Sequence, residues 1–359
     1  MATAAYTADE LTQLAARIVP VEEEWLQAGR DRQDDLTKPP GSLGGLEEIG
    51  IRLCGIAAAC PPPVPSRPRV IVFAGDHGVY AQGVTPWPQE VSVQMATGIA
   101  VGFAGVSVIG RSVGAEIEVI DVGLLAPAVD TADRRIAAAT ADFTRGPAMT
   151  REQALAAIAV GVEAAEGAVA AGADVLVPGE VGLANTTPAA ALTAAFGDAP
   201  VSEVTGRGAG ADDEMLNRKV AVVERGLEIN DVAGLLAAGD HVGALAAVGG
   251  FEHAAMVGLI LTAAAHRVPV VLDGVVSCSA ALVARAIAPA AVDYLLAGHA
   301  GVEPAITVAH RVLGVKGLVD LGLRLGEGSG GALALPLVRA AALVMNEMGT
   351  FSGQGVSKA

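Results

Sequence analysis

The chain has 359 residues, enough to bury a large core and to carry a second, smaller domain. Its composition is 52% apolar but only 3% aromatic, with 45 glycines, which excludes collagen-like, disordered, coiled-coil and disulfide-scaffold classes. Lys and Arg number 23 against 39 Asp and Glu, and the resulting formal charge of −16 repels nucleic acid and anionic lipid, so an anionic substrate must be held by local donors.

Charged residues interrupt nearly every apolar stretch before it reaches spanning length. The exception, residues 91–110, is diluted by Ser92, Gln94, Thr97, Ser107 and four glycines and has no aromatic belt, so no membrane span is expected. Cys54, Cys60 and Cys278 form no CxxC pair and read as free thiols of a reducing cytoplasm. The N-terminus shows neither a basic segment nor an apolar leader, so no export signal is read there.

Thr7-Ala8-Asp9-Glu10 has capping-box spacing and starts a helix. Leu46, Ile49, Leu53 and Ile56 form a helical stripe further on. Between them Leu36 to Gly44, with two prolines and two glycines around Lys38, reads as a rigid exposed turn. After the proline-rich residues 61–68, β-branched runs alternate with Ala-rich helical segments. The runs Val70–Phe73, Ile117–Ile120, Val175–Val177, Val268–Leu272 and Val292–Leu296 are apolar nearly throughout, as strands covered on both faces are. Segments 151–172 and 251–266 are long enough for crossover helices. An α/β fold with a parallel sheet flanked by helices follows, and a β/α barrel is the competing topology that spacing leaves open.

Polar residues gather where these strands end: Gly75-Asp76-His77-Gly78, Asp121, Gly179-Glu180, Asp273-Gly274 and Gly298-His299. That edge binds ligands in open sheets and barrels alike. Each residue alone also reads as a helix cap. The segment Gly179 to Pro188, with Glu180, Gly182, Asn185 and Thr186, leaves a strand for a helix with Thr187 as its expected N-cap, and free amides there suit a phosphate. Gly206-Arg207-Gly208-Ala209-Gly210 lacks the GxGxxG spacing and reads as a ligand-facing loop, with Lys219 in the following helix able to reach a phosphate or simply solvated. Asp76-His77 invites a metal-dependent hydrolase, but the other histidines show no HExxH or HxH, so no metal is expected. Glu327 stands among glycines before an apolar helix from Ala332, where burial can raise its pKa and make it a general base, or where it merely meets a helix dipole.

The collinear segments LTKPPGSLGGLEE, VFAGDHGV, GEVGLANTTPAAA, GGFEHAAMVG, PVVLDGVVSCSAALVA and LRLGEGSGGALALPLVRAAALVMNEM resemble the nicotinate-nucleotide:dimethylbenzimidazole phosphoribosyltransferase family, which makes the lower-ligand nucleotide of cobalamin. The resemblance implies a Rossmann-like catalytic domain over residues 61–330 and a small helical domain from residues 1–60 and 331–359. It implies a homodimer with active sites near the subunit boundary and no cofactor. It places Glu327 as the base, and Glu180, Gly182 and Lys219 on the nucleotide side. Asp273 and Gly274 are similar to a pair that reaches in from the neighbouring subunit. The substrates implied are nicotinate mononucleotide and a benzimidazole-type base; a non-catalytic nucleotide-binding protein is the remaining alternative.

The chain departs from the family pattern at four places. Thr85-Pro86-Trp87-Pro88 stands where a Ser-aromatic-Pro run is common, and Gly298 to Ile306 stands for GHxSxEPGH. Gly301 therefore replaces a hydroxyl, Ile306 a histidine, and Met95 lies at about the position of a glutamine. An unchanged reaction with an altered choice of acceptor base is expected.

Overall fold

The computed structural model describes residues 6–357, so residues 1–5 and 358–359 of the two terminal segments named above lie outside the described residues. Among the described residues seven strands form: β1 Pro68–Gly75, β2 Glu116–Gly123, β3 Ala132–Asp133, β4 Val175–Val181, β5 Val270–Leu272, β6 Leu295–His299 and β7 Gly317–Val319. All pairings are parallel, in the order β3-β2-β1-β4-β5-β6-β7. The sheet is open, which decides against the barrel. Its order reverses between β1 and β4, and in such sheets the crevice outside those two strand ends takes the ligand.

Alternation along the strands divides the core in two. Val70, Val72, Ala74, Val177 and Val271 pack on one face with Ile49, Leu53, Ile99, Leu335 and Val338. Ile71, Phe73, Leu176 and Leu272 pack on the other with Ile158, Leu192, Leu259 and Leu282. Both faces are thus covered, which is why the strands read as continuous apolar runs. On the second face helices Arg151–Ala170 and Phe251–Ala265 pack most closely through reciprocal glycines. A Cβ on Gly161 would lie 1.7 Å from the Ala255 carbonyl oxygen, and one on Gly258 would lie 2.0 Å from that of Ile158.

Helices Glu23–Asp35 and Gly45–Ala57 pack on each other, and Ser329–Glu347 packs on the second of them and on the sheet. The ends are stitched by the Leu36–Thr350 bridge and by the Thr37 amide donating to the Gly349 carbonyl at 2.9 Å. The segment around Lys38 is therefore not the exposed turn expected. Leu36 is fully buried and Lys38 nearly so, with its ammonium 2.8 Å from Glu47 Oε1.

Local starts also shift. Pro269 has no N–H for the ladder, so β5 begins at Val270; a 3-10 turn over Pro289–Tyr294 delays β6 to Leu295. The Thr187 amide already donates to Ala184, so Thr187 lies inside helix Thr186–Gly197 and Asn185 holds the cap position without a side-chain cap bond. Helix Ser329–Glu347 starts three residues before Ala332.

Among the described residues three helical stretches, 91–113, Arg151–Ala170 and Ser329–Glu347, are long and apolar enough by length and composition to cross a membrane, where only the first stands out in the sequence. In this fold the first is interrupted at Gly102, φ +98, into Val91–Val101 and Gly105–Val113. The second lies along Phe251–Ala265 and the third on the sheet.

Candidate active site

β4 pairs with β5 through Leu176 and Val270, and beyond that pair β4 carries Pro178, which has no N–H to donate. The Gly326–Gly331 segment packs against this part of the sheet. A Cβ on Gly179 would lie 2.4 Å from the Glu327 carbonyl oxygen, and one on Gly331 would lie 2.6 Å from Val177 Cγ1. Gly326, Glu327 and Gly328 have φ of +87, +66 and +93, three left-handed residues in succession that only the flanking glycines adopt without strain.

Asp273, just past β5, holds this turn. Its Oδ1 accepts from the Gly330 and Gly331 amides at 2.6 and 3.1 Å, and its Oδ2 from the Gly328 amide at 3.0 Å. Asp273 is 2% exposed, and both of its carboxylate oxygens accept from amides of its own chain. Gly274 beside it lines the cavity described next.

A cavity of about 460 Å³ opens at the carboxyl ends of the strands. Its lining includes Glu180, Gly182, Asn185, Thr186, Lys219 and Glu327. Trp87, Met95, Arg207, Ile306 and Leu325 contribute further wall. A Cβ on Gly182 would lie 1.9 Å from the Gly75 carbonyl oxygen, so glycine there lets the ends of β1 and β4 meet.

Glu327 is 5% exposed. Its Oε2 accepts from the Val106 amide at 3.1 Å, at the start of helix Gly105–Val113, while Oε1 accepts no hydrogen bond among the described residues. Burial, together with nearby Asp273, raises its pKa against the opposing pull of that amide. Glu180 accepts from the Asn185 side-chain amide, and burial first, then Asp273 and Glu252, push it up to about 8. Lys219 is 1% exposed and donates to Thr186 Oγ1 and the Gly206 carbonyl, each at 2.9 Å; burial lowers it to about 8. The cavity therefore joins a set of buried carboxyls to one buried ammonium.

Other expected site residues lie elsewhere. Asp76 and His77 do not line the cavity. Asp76 accepts from the Leu125 amide at 3.0 Å and from Gln89, while His77 Nε2 lies 3.0 Å from Glu252 Oε1, with His253 Nδ1 2.7 Å from the same oxygen. They brace the end of β1 beneath the site. Glu252 lies well below the usual carboxylate range because the two imidazoles outweigh its burial, and its charge holds His77 up despite the desolvation of that ring. Among the described residues no group of three or more His, Cys, Asp and Glu is arranged to hold a metal ion. Arg207 lines the cavity but directs its guanidinium to the Ala211 carbonyl and Asp213. Gly301 stands just outside, where a Cβ would lie 2.5 Å from Ile306 Cδ1 and 2.8 Å from His299 Cε1.

Ser92, His299 and Glu303 also line the cavity. His299 is legible in the sequence as a polar strand end. Ser92, which accepts from the Leu183 amide at 2.9 Å, gives no sequence signal of a site, and Glu303, at the start of helix Pro304–Leu313, is marked only as the Glu of the GHxSxEPGH-like run.

Residues 18–356 match the family model described as phosphoribosyltransferase. The chain is 49% identical to the nicotinate-nucleotide:dimethylbenzimidazole phosphoribosyltransferase of Salinispora tropica, covering 97% of this chain and 99% of that protein. It is 47% identical to the protein of that name from Chloroflexus aggregans, over 97% and 98%. The crystal structure of the same-named protein from Thermus thermophilus superposes with a TM-score of 0.88 at 39% identity, covering 94% of this chain and 100% of that one.

Proposed function

The chain belongs to the nicotinate-nucleotide:dimethylbenzimidazole phosphoribosyltransferase family, and from that premise we propose that it moves the 5-phosphoribosyl group of nicotinate mononucleotide to 5,6-dimethylbenzimidazole or a related base. The products are α-ribazole 5′-phosphate and nicotinate, in assembly of the cobalamin lower ligand. The observation that carries the site assignment is Glu327, a buried carboxylate with one oxygen free, in the same cavity as the buried Lys219.

The chemistry needs few groups. The glycosidic nitrogen of the donor is a pyridinium, so nicotinate leaves with a neutral ring nitrogen and needs no general acid. One benzimidazole nitrogen attacks C1′ from the opposite face and inverts it from β to α. The other nitrogen loses its proton as the bond forms, and Glu327 Oε1 takes it. Positive charge spreads over C1′ at the transition state, and the carboxyls at the cavity floor, those ionised at working pH, favour it. Lys219 and the turn from Gly182 to Thr186, in which the Leu183 amide is already held by Ser92 and the Asn185 amide by the Gly182 carbonyl, are assigned to the phosphate. Trp87, Met95, Ile306 and Leu325 supply apolar wall on which a flat base can lie.

The assignment of the two chain ends to one small helical unit is supported, among the described residues, by the Leu36–Thr350 and Thr37–Gly349 links. A homodimer is supported by exposed apolar residues Trp87, Val302, Leu321 and Leu325, in segments that line or adjoin the cavity. A reducing cytoplasm suits the three free thiols.

The test is to incubate purified protein with nicotinate mononucleotide and a series of benzimidazoles, purines and phenols, and to identify products by mass spectrometry. Nicotinate release coupled to an α-ribotide supports the reading. Binding of the nucleotide with thermal stabilisation but no product overturns it.

A further inference from the structure

Lys219 leads to a carboxylate that the reaction just described does not use. An ammonium has three N–H donors, and two of those on Lys219 go to Thr186 and Gly206. Among the described residues no carboxylate oxygen lies within ion-pair distance of it, although Glu303 acts on it from further away and raises its pKa against the larger effect of burial. A buried cation without a partner is costly, and a ligand anion relieves that cost.

Glu303 occupies the neighbouring donor. Its Oε1 accepts from the Gly208 amide at 2.8 Å, and its Oε2 lies 2.0 Å from where a Cβ on Gly206 would stand. Gly208, at φ +51, sits against the ammonium, since a Cβ there would lie 3.4 Å from Lys219 Nζ and 2.7 Å from Thr186 Oγ1. The Gly206–Gly208 turn is therefore gripped by Lys219 through one carbonyl and by Glu303 through one amide. A phosphate dianion drawn to Lys219 competes for the Gly208 amide and repels the carboxylate already there.

We propose that Glu303 is an internal anion that holds the Gly208 amide beside Lys219 in the ligand-free site and is displaced from it by a phosphate monoester. The idea rests on the assignment of Lys219 to the substrate phosphate. It gives Glu303 a role in selectivity: ligands without a dianionic group lack the charge to evict the carboxylate, so their contacts with this turn go unmade.

Calorimetric titration at pH 7 with inorganic phosphate and with ribose 5-phosphate tests it on wild type, Glu303→Gln and Lys219→Met. Glutamine keeps an oxygen for the Gly208 amide and removes only the charge. If the charged carboxylate leaves the Gly208 amide open in about one molecule in ten, and the neutral glutamine oxygen holds it far more weakly, Glu303→Gln tightens both ligands by up to about tenfold. Unchanged or weaker phosphate binding by Glu303→Gln overturns the proposal. So does weakening confined to ribose 5-phosphate, which assigns Glu303 to the sugar hydroxyls. Wild-type phosphate affinity in Lys219→Met instead removes the phosphate role of Lys219, a separate failure. Should Glu303→Gln not fold, Glu303→Asp, too short to reach the Gly208 amide, is expected to bind phosphate more tightly than wild type, and equal binding sinks the idea.

Discussion

Glu327 combines the two properties a base needs here, a raised proton affinity and a free oxygen. The Val106 amide fixes Oε2, so the carboxylate is oriented before substrate arrives, and burial lifts its pKa toward working pH. Glu327→Gln keeps the shape and the Val106 bond but cannot take a proton. Turnover is expected to fall about 10²–10⁴-fold while affinity for nicotinate mononucleotide stays within a few-fold, read from steady-state rates and from calorimetry. In wild type kcat should fall as pH drops through the raised Glu327 pKa, since protonation removes the base, and this limb should vanish in the residual activity of Glu327→Gln. A limb that persists in the variant assigns it to another group.

At the scale of elements, glycines at close approaches separate stability from function. Gly258 touches the Ile158 carbonyl where two helices cross, far from the cavity lining; Gly258→Ala should cost about 1–3 kcal/mol by denaturant melts and leave the rate per folded molecule nearly unchanged. Gly179 instead makes room for the Glu327 carbonyl, so Gly179→Ala displaces the base and should cost about 10²-fold in kcat. Equal effects of the two on rate argue against Gly179 acting through Glu327.

The same scale shows what the chain makes legible. Apolar runs ending in Asp, Glu or Gly mark β1, β2, β4, β5 and β6, because burial on both faces and a ligand-facing end leave distinct residue patterns. β3 and β7, two and three residues long and not fully buried, leave no pattern. Lys38 reads as exposed because its partner Glu47 belongs to the next helix, and only packing brings the two together. Asp76 and His77 have the chemistry of site residues, but which side of a strand end faces the cavity depends on neighbours such as Glu252 that lie far away in the chain. The contact of Glu303 with Gly208 is silent for the same reason, the two being 95 residues apart.

Across the whole molecule, the acidity first met as a net charge of −16 has a structural concentrate in Glu180, Asp273 and Glu327, buried near one another with their pKa values raised. A carboxyl whose pKa is higher folded than unfolded contributes stability that is complete below its unfolded value and is lost as pH rises through its folded value. For Glu180 that window runs from 4.5 to about 8, because the native state holds a proton there that the unfolded chain has released. Each pH unit inside the window is worth at most about 1.4 kcal/mol for one proton. Lys219 does not offset this loss, since its lowered pKa of about 8 makes its own contribution change only above the window. Glu180→Gln cannot ionise, so wild type and variant should be close in stability at pH 5, with the variant the more stable by a growing margin toward pH 8. Urea melts at steps of pH measure that margin, and parallel curves for the two proteins would mean that Glu180 is ionised in the native state throughout. A cationic ligand in the cavity, such as the pyridinium of the donor nucleotide, favours the ionised carboxyl. Its binding at pH 7 should therefore release a proton in wild type, detected as a buffer-dependent enthalpy, and less of one in Glu180→Gln.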